Sequence, residues 1–224
     1  MKISTKEFKF HSAPGKGEVT AIYDQPELAK SVLVLGHGSG SNIKHQLMSE
    51  LSNALNHKSI ATMRFNYPYS EKGKGGMDGE KVRLSTVRSA LNVASKENAN
   101  LPLFAGGHSM SGRMFSIEQS RNPEEKLSGI IFYAFPLHNT KLNVERADHL
   151  KQIDIPMLFL SGQRDRMANL DLLVHVVDKL ETGTLHVVDT ADHGFKVLKR
   201  RKIKEDVMSE LARVTAEWIA KIIG

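Results

Sequence analysis

The chain has 224 residues, a net charge of +6, 40% apolar side chains and no cysteine. One hydrophobic core suits that length, since single α/β domains commonly run to about 250 residues, and the missing cysteines exclude disulfides, thiolate metal sites and a cysteine nucleophile. The opening residues Met1 to Glu7 lack the apolar segment of a secretory signal, and no apolar run approaches about 20 residues, so a soluble, cytoplasmic protein without membrane contact is expected.

Apolar runs alternate with helix-period stretches, with no internal repeat and no low-complexity linker, which is the pattern of a mostly parallel sheet with helices on both faces. An opening pair of strands is expected near Glu7 to His11 and Val19 to Tyr23. Strand Ser31 to Leu35 then runs into Gly36-His37-Gly38-Ser39-Gly40-Ser41, and a helix near His45 to Asn56 precedes strand Ile60 to Phe65. The segment Ser70 to Glu80 is rich in lysine and glycine but lacks Gly-x-x-x-x-Gly-Lys-Ser/Thr, so it reads as a mobile surface connection and not as a phosphate cradle. A helix over about Glu80 to Glu97 leads to strand Leu101 to Ala105, and a helix-like run follows from Met114 to Arg121.

After strand Gly129 to Ala134, the roughly twenty residues from Phe135 to Ile155 can hold a short helix near Arg146 to Ile153 but hardly a lid. Strand Pro156 to Leu160, a helix near Leu170 to Leu180 and strand Thr184 to Val188 complete the alternation. The terminal helix, Glu205 to Ile223, carries Val207, Leu211, Val214, Trp218 and Ile222 at helical spacing; this stripe should cover the sheet and put Trp218 in the core.

Three strand ends carry chemistry. Gly107-His108-Ser109-Met110-Ser111 reads as a nucleophile elbow, in which a serine sits on a sharp strand-to-helix turn and its neighbours two residues away must be tiny. Gly107 meets that demand, and Ser111 stands where a second glycine would be ideal. An activated serine needs a histidine to take its proton and a carboxylate to hold the histidine's tautomer. Asp165 follows one later strand and His193 the next, and sites in open α/β sheets assemble at that edge. The order Ser109, Asp165, His193 is that of α/β-hydrolases. Asp189 and Asp192 are the alternative orienting carboxylates. The glycine loop at 36–40 lets backbone N–H groups turn towards an anion, and the N–H groups of Ser39 and Met110 are the expected oxyanion donors. A dinucleotide reading of that loop would need glycine where Ser41 stands, and strand Ile60 to Phe65 does not end in an acidic residue to hold a ribose.

The stretches Gly36-His37-Gly38-Ser39-Gly40, Arg64 to Tyr69, Gly106 to Arg113, Phe135 to His138, Gly162 to Asp165 and Ala191 to His193 resemble the dienelactone-hydrolase-like branch of the α/β-hydrolases. More narrowly, they are similar to the group that includes testis-expressed protein 30 and the regulatory subunit 3 of the NSL chromatin complex. The resemblance implies one α/β-hydrolase domain over residues 1–224, without a lid, and a serine hydrolase activity. Ser111 departs from the glycine usual in that family. Some relatives look like scaffolds in larger assemblies, which gives a second reading, a non-catalytic domain that binds a protein partner.

The expected reaction is hydrolysis of a small ester, thioester or amide, with His37, Tyr67, Tyr69, Leu137, Met167 and Phe195 lining a shallow site for a small acyl group. No cofactor is required. No metal is expected either, because the ten histidines show no close ligand spacing. His108 and His138 also fall near the mouth but read as residues that satisfy loop backbone. The densest basic cluster, Lys196 to Lys204, lacks a nucleic-acid module or interleaved aromatics, so no nucleic acid is expected and the run reads as a solvated entry to the terminal helix.

Overall fold

A computed structural model describes residues 2–73, 76–98 and 100–224. Eight strands form one sheet: β1 (Ile3–Ala13), β2 (Gly17–Pro26), β3 (Ser31–Gly36), β4 (Ile60–Phe65), β5 (Leu103–His108), β6 (Leu127–Tyr133), β7 (Met157–Gly162) and β8 (Gly183–Val188). Their spatial order is β1-β2-β4-β3-β5-β6-β7-β8, with antiparallel pairing only at β1–β2 and β2–β4. The other neighbours are parallel and β3, β4 and β7 are buried along their whole length, as covered parallel strands must be. The chain therefore has the α/β-hydrolase fold.

The helices are α1 (Gln46–Asn56), α2 (Pro68–Glu71), α3 (Glu80–Glu97), α4 (Met110–Arg121), α5 (Leu170–Val177) and α6 (Val207–Ile223), with a 3₁₀ segment at Glu145–Gln152. Because successive strand side chains point to opposite faces, β3 sends Val32 and Val34 to one core and Leu33 and Leu35 to the other. Leu84, Val87 and Leu91 of α3 and Met114 and Phe115 of α4 seal the first. Met48, Leu51 and Leu55 of α1 and Leu211 and Trp218 of α6 seal the second, and Trp218 packs edge-on against Phe104. The apolar stripe of the last helix thus does what its spacing implied.

Several boundaries move for identifiable reasons. β5 continues through Gly106 and Gly107 to His108, because the parallel ladder with β3 and β6 extends across the glycines. α4 begins immediately after Ser109, four residues earlier than its apolar run. The segment at Arg146 is 3₁₀ and not α-helical. Proline at the first helical position starts the short α2, whose last two residues overlap the expected connection from Ser70 to Glu80; Lys74 and Gly75 of that connection lie outside the described residues. The basic run at 196–204 leads into α6, which begins at Val207. It is not wholly solvated, however: the Arg201 side chain is buried and donates to Glu210 and to the Glu205 carbonyl. Between β6 and β7 the chain carries only the 3₁₀ segment, so no lid covers the C-terminal strand ends. No helix among the described residues is long and apolar enough to cross a membrane.

Candidate active site

The turn between β5 and α4 puts Ser109 in an unusual backbone conformation, φ 51° and ψ −109°. Only glycine adopts such angles freely, so the conformation survives because its surroundings hold it. The Ser109 N–H donates to the Tyr133 carbonyl at 2.9 Å, tying the turn to the end of β6. A Cβ on Gly107 would lie 2.5 Å from the Gly36 carbonyl oxygen and 2.6 Å from Ser111 Cβ, so the elbow closes only on glycine.

Ser111 does more than approximate a small residue. Its hydroxyl is fully buried and donates to the His37 carbonyl, so the Tyr67 hydroxyl, 2.9 Å away, must be the donor to Ser111 Oγ. A serine at the fifth elbow position thus ties the glycine loop after β3 to the elbow helix.

β7 and β8 bring the other two residues in. His193 Nε2 lies 2.8 Å from Ser109 Oγ, and His193 Nδ1 lies 2.8 Å from Asp165 Oδ2. The buried carboxylate can only accept, so Nδ1 carries the proton and Nε2 accepts from the serine hydroxyl. The second carboxylate oxygen accepts from the Met167 N–H at 2.7 Å, and the Asp165 side chain is 0% exposed. Asp192 instead accepts from the N–H groups of Gly194 and Lys196, capping the turn that carries His193. Gly162 makes the approach of the two loops possible: a Cβ there would lie 2.5 Å from the Ala191 carbonyl. Thr190 and Phe195, both at positive φ, bracket His193.

His108 holds this turn from the other side. Its Nε2–H donates to the His193 carbonyl at 2.9 Å, and burial pushes its pKa down to about 4, with the neighbouring His193 adding to the shift. Burial likewise lowers His37 to about 4, so both rings are neutral near pH 7. Neutral His37 must donate from Nδ1 to the Gly38 carbonyl and accept at Nε2 from Ser70.

A cavity of about 250 Å³ opens beside Ser109. Ser39, Met110 and Met167 line it, as expected, together with Met77, Met114, Pro136, Asn139 and three arginines, Arg83, Arg113 and Arg146. Among the described residues, neither the Ser39 nor the Met110 N–H donates to a protein acceptor. Met110 is the first residue of α4, where the helix dipole also favours negative charge. A larger hollow of about 590 Å³ lies between α1 and α6 and contains none of the three converging residues.

The expected lining needs correction. His37, Tyr67 and Leu137 are 0% exposed and Phe195 is 3% exposed; none borders the cavity. Tyr67 and Tyr69 stack on each other and pack edge-on to His37, so these rings support the glycine loop from beneath. Tyr69 reaches only a neighbouring hollow with Ser39 and Met77. His138 is buried, its Nε2 accepting from the Asn169 N–H. Of the arginines, Arg113 was legible in principle, since it follows Ser109 by four residues and so lies on the same helix face. Arg83 and Arg146 come from elements far away in sequence and gave no such signal.

The sequence family described as an alpha/beta hydrolase domain matches residues 29–220. The chain is similar in structure to the dienelactone hydrolase of Anabaena variabilis (16% identity, 97% of this chain and 98% of that one, TM-score 0.73). It is also similar to XC6422 of Xanthomonas campestris, described as an α/β serine hydrolase without a lid (15%, 97% and 94%, 0.74), and to Est1E of Butyrivibrio proteoclasticus (12%, 96% and 98%, 0.72). At these identities the likeness is one of fold.

Proposed function

Since its match covers most of the chain, the protein belongs to the alpha/beta hydrolase domain family, and from that premise we propose that it is a serine hydrolase acting on a small ester, thioester or amide. The observation that carries this reading is the continuous hydrogen-bonded line from Ser109 through His193 to Asp165. Ser109 Oγ attacks the substrate carbonyl carbon while its proton passes to His193 Nε2, and Asp165 stabilises the imidazolium. The N–H groups of Ser39 and Met110 hold the resulting oxyanion. Collapse expels the alcohol, thiol or amine, which takes the proton back from Nε2. Water, activated by the same nitrogen, then releases the acid. Every step uses this chain's own side chains and backbone, so the reaction needs no cofactor. The motif stretches from Gly36 to His193 further favour a place beside testis-expressed protein 30 within the family.

An alkyl fluorophosphonate tests the reading. It should label one site, Ser109, and His193→Ala should slow labelling by at least about 100-fold, the usual cost of losing a general base. Labelling that persists in Ser109→Ala would assign another nucleophile. A folded protein that takes no label would leave a partner-binding role in its place.

A further inference from the structure

Three guanidinium groups converge on the cavity beside Ser109 from three elements: Arg83 of α3, Arg113 of α4 and Arg146 of the 3₁₀ segment. Among the described residues none of them makes a side-chain hydrogen bond or lies within 4.0 Å of a carboxylate, although eight arginines or lysines elsewhere are paired in this way. The Nε atoms of Arg83 and Arg113 are buried and have no partner among the described residues. Glu80, the acid whose charge reaches Arg113, is already engaged by Arg121 at 3.3 Å. Burial, and then the like charges of Arg146, Arg83 and Arg121, outweigh the opposing charge of Glu80 and hold Arg113 below the usual arginine range. His149 offers no negative charge; it sits next to Ser116 at 2.7 Å and is kept neutral by burial and by Arg113 and Arg121, its pKa near 4. Stacking positive charge without a counter-charge costs folding free energy, and such a cost is borne where a ligand relieves it.

We propose that this cluster is the recognition site for a compact oxyanion, a carboxylate or phosphate, carried by the substrate a few bonds from its scissile carbonyl. The proposal rests on the hydrolase reading and narrows it. The planar fork of arginine matches both anions, and the methionines of the same cavity leave room for only a short apolar link between the anion and the carbonyl. A neutral ester would leave the three cations as they are in the free protein.

Two measurements separate this inference from the activity itself. In the first, kcat/KM is compared for 4-nitrophenyl butyrate and the 4-nitrophenyl half-ester of succinic acid, which have the same number of acyl carbons, each corrected for its own non-enzymic rate. The succinate ester should be favoured by about tenfold or more, as a charge-assisted hydrogen bond supplies. That ratio should fall by about tenfold in Arg113→Gln or Arg146→Gln, and it should shrink at about 0.5 M salt. Equal or lower kcat/KM for the succinate ester would overturn the carboxylate form of the inference and leave the hydrolase standing. In the second, Ser109→Ala protein is titrated calorimetrically with monomethyl succinate, methyl butyrate and inorganic phosphate. Binding of monomethyl succinate that the arginine substitutions weaken supports a carboxylate site, and such binding of phosphate alone supports a phosphate site, even if no ester is turned over and the hydrolase reading fails. Failure of both anions to bind overturns the inference.

Discussion

Asp165→Asn removes one negative charge and adds one N–H, and the structure says where that N–H goes. Asp165 Oδ1 accepts from the Met167 N–H at 2.7 Å, while Oδ2 faces His193 Nδ1 at 2.8 Å. The asparagine carbonyl oxygen will keep the Met167 bond, because turning the amide over would set two donors against each other. Its NH₂ group then points at Nδ1 and forces the imidazole proton onto Nε2, where it faces Ser109 Oγ. That tautomer cannot accept the serine proton. In a comparable triad the same substitution lowers kcat by about 10⁴ with the geometry intact. At about 1.4 kcal/mol per tenfold this corresponds to a barrier higher by about 5–6 kcal/mol. The assay is single-turnover and steady-state hydrolysis of a short-chain aryl ester by wild type and Asp165→Asn, with circular dichroism and Tm as controls for folding. Asp189→Asn and Asp192→Asn, made in parallel, should leave kcat within a few-fold of wild type. Near-normal turnover in a folded Asp165→Asn protein would refute the assignment and return the role to one of the other two aspartates.

Further outcomes follow from the same geometry. Ser111→Ala strands the buried His37 carbonyl and Tyr67 hydroxyl, a loss of about 2–3 kcal/mol and a fall in Tm of about 5–10 °C, measured calorimetrically; Ser111→Gly should not restore it, and a change within about 1 °C would deny the hydroxyl its role. His37, His108 and His149 have pKa values lowered to about 4, so between pH 6.5 and 4 the unfolded chain binds protons that the native state refuses. Stability is therefore fully present above about pH 6.5, is lost as pH falls towards 4, and loses no more from this source below that; a fully enclosed ring contributes at most about 1.4 kcal/mol per pH unit. Urea midpoints across this range should show the decline, with a shallower slope in His149→Gln, and a flat profile would contradict it. Among neutral aryl esters, kcat/KM should peak at about two to four acyl carbons, because further methylenes, worth about 0.8 kcal/mol each when buried, find no room in a cavity of about 250 Å³. A continuous rise to about ten carbons would require a deep tunnel instead.

Local sequence carried the strand-helix alternation, because the covered parallel strands of this sheet are near-continuous apolar runs and its helices repeat their apolar residues at helical spacing. It also carried the three residues at strand ends, since a parallel sheet delivers the C-terminal ends of its strands to one edge whatever the details of packing. Gly107 and Ser109 announced the elbow, and the apolar stripe from Val207 to Trp218 announced the covering helix.

Which side chains face the cavity was another matter. Tyr67 lies at the correct edge, yet burial of its ring beneath the glycine loop outweighs its exposure to substrate, and no local pattern records that competition. Arg83, Arg113 and Arg146 are 30 or more residues apart in the chain, so that their convergence without a counter-charge exists only once α3, α4 and the 3₁₀ segment have packed together. Likewise the turn geometry, which spends Asp192 on its own backbone, is what leaves Asp165 as the carboxylate beside His193 Nδ1. Periodicity and residue type are local properties and determine the elements and their order; contact, burial and electrostatic pairing depend on groups distant in sequence, so only the folded chain decides what the site can bind.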